Sequence, residues 1–129
     1  MKRDLDLVRK LLIYFNDKPD DSMENAPKNP LVIDGYPESL VSYHLLIMDE
    51  AGLLRCERSV SSKTEGRVIR VYPFSLTWAG HEFLSAAIDD TTWNKAKGVS
   101  LEKAGVLSFE IIKDLLILMA KDKLGMSQG

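Results

Sequence analysis

The chain has 129 residues, of which 45% are hydrophobic and 28% charged, with a formal net charge of -2. This length suits one domain that buries a core without disulfides or metals, and the charge argues against a strongly basic nucleic-acid-binding protein. Cys56 is the single cysteine, which excludes an internal disulfide. No apolar run approaches the roughly 20 residues of a membrane span and no signal peptide is recognisable, so we expect a cytoplasmic protein.

The first predicted element is a helix over residues 4–15. Its apolar residues recur at helical spacing between charged ones, and Asp4 is suited to cap it. Residues 16–30 contain three prolines and no periodicity, and predict a long surface loop. Residues 31–33 form a short apolar run that predicts a brief edge strand.

A helix over residues 37–51 is the element on which the rest of the chain is expected to pack. Proline suits its first turn, and Gly52 is suited to end it in a left-handed conformation, with Leu53 folding back on the last turn. Helical periodicity gives the segment an apolar and a polar side. The apolar side is predicted to hold Leu40, His44, Ile47, Met48 and Ala51, and the polar side Ser39, Ser42, Tyr43, Asp49 and Glu50.

Residues 53–60 and 67–76 are rich in β-branched and aromatic residues and predict a β-hairpin with a Ser- and Gly-containing tip. Their alternation of inward and outward residues is irregular, which indicates a bulge or bend near Pro73. Between Arg55 and Arg70, five basic residues stand against two acidic ones. The hairpin is therefore expected to be a basic segment on an acidic protein.

The chain after the hairpin is predicted to be helical. Thr77 is suited to cap a helix over residues 78–89, and Trp93 is expected to anchor the next segment onto the protein. Gly98 is expected to open a polar turn before a short helix that Gly105 closes.

The last predicted helix, residues 108–124, is apolar on nearly every side between Leu115 and Ala120. Such a helix needs cover on more than one side, either from its own domain or from a second copy of the chain. We expect a homodimer, with complete burial within the monomer as the alternative. The predicted interface residues are Ile112, Leu115, Leu116 and Met119.

This order of elements predicts an α+β fold of the winged-helix type. It comprises a truncated helix-turn-helix, a β-hairpin wing and a C-terminal helical extension, in one domain with a core at 1–90 and the extension at 91–129. Between Asp34 and Val41 there is room for about one helical turn, where the usual motif has a further helix. That departure weakens the analogy in function more than in fold.

The sequence offers little catalytic chemistry. His81 and Glu82 lack the second histidine of a metalloprotease helix, because position 85 is serine. No phosphate-binding loop or nucleophile elbow is present, so we expect no enzyme, metal or cofactor. His44 fits a buried neutral histidine better than a ligand or base, His81 a surface or structural residue better than a catalytic one, and Cys56 a small hydrophobe better than a reactive thiol.

Five stretches taken together resemble the domain-of-unknown-function family 2513 of bacteria and phages. They are KRDLDLVR at 2–9, IDGY at 33–36, YHLLIMDEAGLL at 43–54, LTWAGHEFL at 76–84 and DDTTWNK at 89–95. More distantly, residues 51–54 and 76–80 resemble the ends of the recognition helix and wing of winged-helix regulators. The resemblance implies a fold and no biochemical activity.

Two functions are expected from these features. The first is a small homodimeric, transcription-regulator-like protein that binds double-stranded DNA. The wing would supply phosphate contacts, and the central helix would meet base edges or phosphate. The residues so assigned are Arg58, Lys63, Arg67 and Arg70 on the wing and Ser39, Ser42 and Tyr43 on the helix. The second is a protein-interaction module with the same fold, a bacterial or phage accessory factor, with the long loop and the C-terminal helix as contact surfaces. For the wing itself, a charged hairpin that is simply solvated is the alternative to DNA binding.

Overall fold

In the computed structural model, the residues described are 1–19, 31–123 and 125. Within them the protein is α+β, with five helices and one antiparallel hairpin. The elements are α1 (Leu5–Asn16), α2 (Glu38–Glu50), β1 (Leu54–Val60), β2 (Val68–Leu76), α3 (Trp78–Ala87), α4 (Asp90–Ala104) and α5 (Phe109–Lys123). The chain divides into an N-terminal unit, Met1–His81, and a C-terminal unit, Glu82–Gly129, at a boundary inside α3.

The first helix is confirmed together with its cap. The Asp4 carboxylate accepts hydrogen bonds from the backbone amides of Asp6 and Leu7 at 2.9 and 3.2 Å, which satisfies donors that have no partner within a helix. The buried side of α1 consists of Leu5, Leu7, Val8, Leu11, Leu12 and Phe15. Most of the loop predicted after it, residues 20–30, lies outside the described residues.

The prediction of a short strand at residues 31–33 is wrong. These residues are irregular and lead into a turn, where the Tyr36 amide donates to the Ile33 carbonyl at 3.2 Å. Strand structure requires a hydrogen-bonded neighbour, and among the described residues β1 and β2 pair only with each other. The apolar run therefore forms no ladder with the described strands, and its Val32 side chain is 78% exposed.

The end of α2 forms as predicted and sets the direction of the hairpin. Gly52 has a φ of +76°, its amide donates to Asp49 at 3.0 Å, and the Leu53 amide donates to Met48 at 2.9 Å. This pair of bonds is a Schellman motif, which satisfies the last carbonyls of the helix. The chain turns there and enters β1 two residues later.

The buried side of α2 differs from the predicted side. It consists of Val41, His44, Leu45, Met48 and Asp49, whereas Ala51 is exposed. Apolar residues occur all around this helix, so periodicity defines its inward direction weakly, and packing against α1, β1 and β2 decides it.

The hairpin is confirmed, and its register explains the irregular alternation. Residue 74 is skipped between the pairs Arg55–Ser75 and Cys56–Pro73, and residue 69 is skipped next to the tip. The first break is the irregularity expected near Pro73. Each skipped residue is a β-bulge that reverses the faces of the residues beyond it.

The start of α3 is fixed to the end of α2. The Thr77 hydroxyl accepts from the Gly80 amide at 3.1 Å and donates to the Gly52 carbonyl, and the Thr77 amide donates to the Leu53 carbonyl at 3.1 Å. Thr77 is thus the predicted N-cap. A Cβ at position 80 would collide with the Leu53 carbonyl oxygen, so only glycine fits this close approach.

In the C-terminal unit, α4 runs through Gly98, where the sequence predicted a turn followed by a separate helix. The Asp89 carboxylate caps α4 by accepting from the Thr92 amide at 2.7 Å, and Gly105, with a φ of +73°, ends it as expected. A single helical glycine costs about 0.5–1 kcal/mol relative to alanine, which the rest of a 15-residue helix offsets.

An aromatic cluster forms the core of this unit. Trp93 is buried, as predicted, and lies edge-on to Phe83 at 6.1 Å between centroids. Phe83 in turn stacks on Phe109 at 4.6 Å.

The last helix buries Ile112 and Leu116 completely within this chain, and Leu115 and Met119 are half-buried. The first two are therefore core residues, not surface positions open to a second copy. The apolar side chains of α5 that face solvent are Ile111, Ile117 and Leu118. None of the described helices combines the length and hydropathy needed to cross a bilayer.

Candidate nucleic-acid interface

The tip of the hairpin, residues 61–67, is held by its own hydrogen bonds. The Ser61 hydroxyl accepts from the amides of Lys63 and Thr64 at 3.0 Å each, and the Ser61 amide donates to the Arg67 carbonyl at 2.8 Å. Because the Ser61 side chain is used internally, it belongs to the scaffold of the tip. The side chains of Lys63 and Arg67 are exposed at this position.

Arg58 has a different role from the other wing residues. Its Nε and Nη2 donate to the two Asp49 carboxylate oxygens at 2.7 and 3.0 Å. The carboxylate is 6% exposed and the guanidinium side chain 54% exposed. This bidentate pair offsets the charge of Arg58, so Arg58 is a weaker candidate for a phosphate contact than the residues at the tip.

Sequence reasoning missed Asp49 because helical periodicity placed it on the solvent side. A carboxylate buried at the end of a helix requires a partner. The nearest basic residue along the chain, Arg55, cannot be that partner, because it lies on the other face of β1. The alternation of side chains along β1 could have identified the partner, because it places residues 56 and 58 on the face of the strand that meets α2.

Cys56 lies beside this pair. Burial and the neighbouring Asp49 carboxylate, which accepts the thiol hydrogen bond, together raise the pKa of its thiol to about 12, and burial is the larger cause. The thiol stays protonated at neutral pH, as expected of a structural cysteine.

Arg70 lies on the opposite face of the hairpin from Arg58. It pairs with Ser59, whereas Arg58 pairs with the buried Val71. The five basic residues of the wing therefore divide into three groups. Arg58 is paired to α2, Lys63 and Arg67 lie at the tip, and Arg55 and Arg70 lie on the outer face. The side chains of Arg55, Lys63 and Arg67 are exposed, and that of Arg70 is half-buried.

On α2, Ser39 is exposed in the first turn, whereas Ser42 and Tyr43 are half-buried. The Tyr43 ring lies edge-on to His44 at 5.9 Å. Ser39 is thus the most accessible of the three helix residues that were predicted to contact DNA.

His44 is structural, as predicted. Its Nδ1 bonds to the Leu40 carbonyl at 2.8 Å, and its Nε2 accepts from the Asp4 amide at 2.7 Å. A carbonyl only accepts and an amide N–H only donates, so the ring is neutral with its proton on Nδ1. This bond joins the start of α1 to α2.

These features describe an α+β protein whose central helix leads through a glycine stop into a basic-tipped hairpin. The chain belongs to the family described as "Hypothetical protein (DUF2513)", which it matches over residues 2–106. It is 30% identical over 115 residues to an uncharacterized protein of Haemophilus influenzae, covering 89% of this chain and 92% of that one. No solved structure matches the chain.

Proposed function

We propose that the protein binds double-stranded DNA as a winged helix, with α2 and the hairpin tip as the contact surface. The observation that carries this proposal is the exposure of Lys63 and Arg67 on a tip braced by hydrogen bonds, in the hairpin that directly follows α2. A braced tip presents its two cations at low entropic cost, which suits contacts to phosphate. Arg70, half-buried on the outer face of the hairpin, is a further candidate contact.

The winged-helix assignment rests on the order and packing of the N-terminal unit. α2 contacts α1 and both strands, and α3 begins directly after the hairpin. The segment just before α2 is a turn at residues 33–36, which agrees with the shortened helix-turn-helix expected from the sequence. Binding is then expected to depend more on phosphate contacts at the tip than on base readout by α2.

The direct test is fluorescence anisotropy with a labelled random-sequence duplex over a range of salt concentrations. Affinity should fall steeply between about 50 and 200 mM salt, and Lys63→Gln or Arg67→Gln should each reduce the salt slope by about one. Lys95→Gln, an exposed position on α4, is the charge-matched control and should leave the slope unchanged. Absence of binding at low salt would refute the proposal.

A second variant tests the helix half of the surface. Ser39→Glu adds a negative charge in the first turn of α2, where acidic residues stabilise a helix. The variant should fold at least as well as the wild type and bind the duplex more weakly, because the carboxylate would oppose phosphate. Unchanged affinity would confine the contact to the hairpin.

A protein-interaction role is the second candidate, and the apolar residues exposed on α5 favour it. Ile117 and Leu118 are 40% and 53% exposed. We take a second copy of this chain as the partner, since Asp114 and Lys121 lie at equal distances in sequence on either side of that pair. An antiparallel pairing of two α5 helices would bring each carboxylate opposite a lysine, as a twofold interface requires.

A further inference from the structure

A groove in the N-terminal unit is lined by side chains that the proposed duplex-binding surface does not use. It lies where the end of α1, the base of the hairpin and the start of α3 meet, and has a volume of about 420 Å³. Its lining residues are Phe15, Asn16, Lys18, Arg55, Ser75, Leu76, Trp78 and His81.

The lining carries basic groups and no acidic side chain. Lys18 Nζ donates to the Phe74 carbonyl at 2.7 Å, which holds the ammonium at the groove and leaves two of its N–H donors for another acceptor. Arg55 and His81 are exposed at the same groove. Lys18 just after α1, Arg55 on β1 and His81 on α3 thus line one groove, and basic side chains placed together favour a compact anion such as phosphate.

Trp78 gives the groove an aromatic wall. Its side chain is 80% exposed, whereas Trp93, the other tryptophan, is 2% exposed. A flat indole in solvent beside cations is the arrangement on which nucleobases stack, and stacking tolerates any base.

Ser75 adds a polar group without a partner. Its hydroxyl oxygen is buried and forms no hydrogen bond within the described part of the chain. Ser75 pairs with Arg55 across the hairpin, so both lie on the same face. Buried hydroxyls are rarely left unpaired, and rotation about the Cα–Cβ bond would let this one donate to an oxygen of a bound anion.

We propose that this groove binds a nucleotide, with the phosphate held by Lys18, Arg55 and His81 and the base stacked on Trp78. The site is separate from the hairpin tip, and its occupation does not depend on duplex binding. A free mononucleotide and a single nucleotide within a DNA or RNA strand share this chemistry. The experiment therefore distinguishes them.

Three probes are titrated into the full-length protein: AMP, an oligothymidylate of eight nucleotides, and inorganic phosphate. Calorimetry measures the affinity of each probe, and tryptophan fluorescence reports whether a base stacks on Trp78. AMP or the oligonucleotide should quench the exposed Trp78 and leave the emission of the buried Trp93. Inorganic phosphate should bind more weakly and cause no quenching, because it brings no base.

The variants alter exposed side chains, so the fold should be retained. Arg55→Gln and His81→Gln should each weaken nucleotide binding about tenfold, as expected for a lost charge-assisted hydrogen bond. Trp78→Ala should weaken it by a similar factor and abolish the quenching. Arg67→Gln at the tip is the matched control, because it should weaken duplex binding and leave AMP affinity unchanged.

The outcomes separate the sources and the alternatives. If AMP binds, a free nucleotide is a sufficient ligand. If only the oligonucleotide binds, the ligand is a nucleotide within a strand. Either result supports the proposed site. The proposal is overturned if neither probe binds, if phosphate binds as tightly as AMP, or if affinity is unchanged in Arg55→Gln and Trp78→Ala. Equal weakening by Arg67→Gln would also overturn it, since that result indicates nonspecific attraction of anions.

Discussion

Asp49, at the end of α2, influences two neighbours on β1. Both of its oxygens bind Arg58, and its charge disfavours ionisation of the Cys56 thiol. The Asp49 carboxylate joins the helix to the inner face of the hairpin, and it pairs with Arg58, a residue that the sequence analysis assigned to DNA contacts. At the scale of single residues, charge counting along a segment overestimates what a ligand can reach.

The reactivity of Cys56 tests this arrangement. The thiolate is the reactive form, and a pKa of about 12 in place of 9.0 lowers its population near pH 8 by about a thousandfold. Alkylation of the native protein should therefore be very slow and should rise with pH well above 9. Asp49→Asn should move the pH profile of the rate to lower pH, because one cause of the raised pKa is removed.

Glu57→Gln is the matched control, since it removes one negative charge from the adjacent residue on the opposite face of β1. Its pH profile should coincide with that of the wild type. An unchanged profile in Asp49→Asn would show that burial alone raises the pKa of Cys56.

His44 offers a second residue-scale prediction. His44→Leu leaves the Asp4 amide without an acceptor and deprives the Leu40 carbonyl of a donor. We expect the free energy of unfolding to fall by about 1–3 kcal/mol, the usual cost of leaving buried polar groups unpaired. Urea denaturation measures the change, and His81→Ala at an exposed position should stay within about 0.5 kcal/mol of the wild type. Equal midpoints for His44→Leu and the wild type would contradict the assigned bonds.

At the scale of elements, the sequence predicted what local chemistry determines. Capping by Asp4 and Thr77, the Gly52 stop and the hairpin each depend on residues close in the chain. The buried side of α2 and the fate of residues 31–33 depend on neighbours distant in sequence, and both were mispredicted. The same limit applies to the site: the tip was predicted, whereas the Asp49 pairing of Arg58 requires knowledge of the packing of α2 on β1.

Two helical glycines that look alike in sequence should respond oppositely to alanine. Gly80→Ala places a Cβ against the Leu53 carbonyl and 3.2 Å from the Leu76 Cβ, and should lower the free energy of unfolding by about 1–3 kcal/mol through overpacking. Gly98→Ala meets no atom within 4 Å and should raise it by about 0.5–1 kcal/mol, because alanine favours the helix.

Thermal or urea denaturation of the two variants measures both changes in one experiment. The pair controls for the common chemistry of adding a methyl group. Stabilisation by Gly80→Ala would contradict the close approach of α3 to Leu53, and destabilisation by Gly98→Ala would contradict the uninterrupted α4.

At the scale of the whole molecule, the proposed functions require surfaces that a net charge of -2 does not reveal. The basic tip belongs to the N-terminal unit, and the exposed apolar residues of α5 belong to the C-terminal unit. Each unit therefore carries a surface of different chemistry: one suited to a polyanion, the other to a protein.

The proposed dimer is tested through the self-complementary charges of α5. Leu118→Glu should convert a dimer to a monomer, because it buries a charge at the centre of the interface. Asp114→Lys and Lys121→Asp should each weaken association, and the double variant should restore it, since the exchange re-forms both pairs around the twofold axis. Sedimentation equilibrium measures the dissociation constants, with Lys95→Asp on α4 as the charge control. A wild-type protein that remains monomeric at high concentration, or a double variant no tighter than the singles, would exclude this antiparallel pairing.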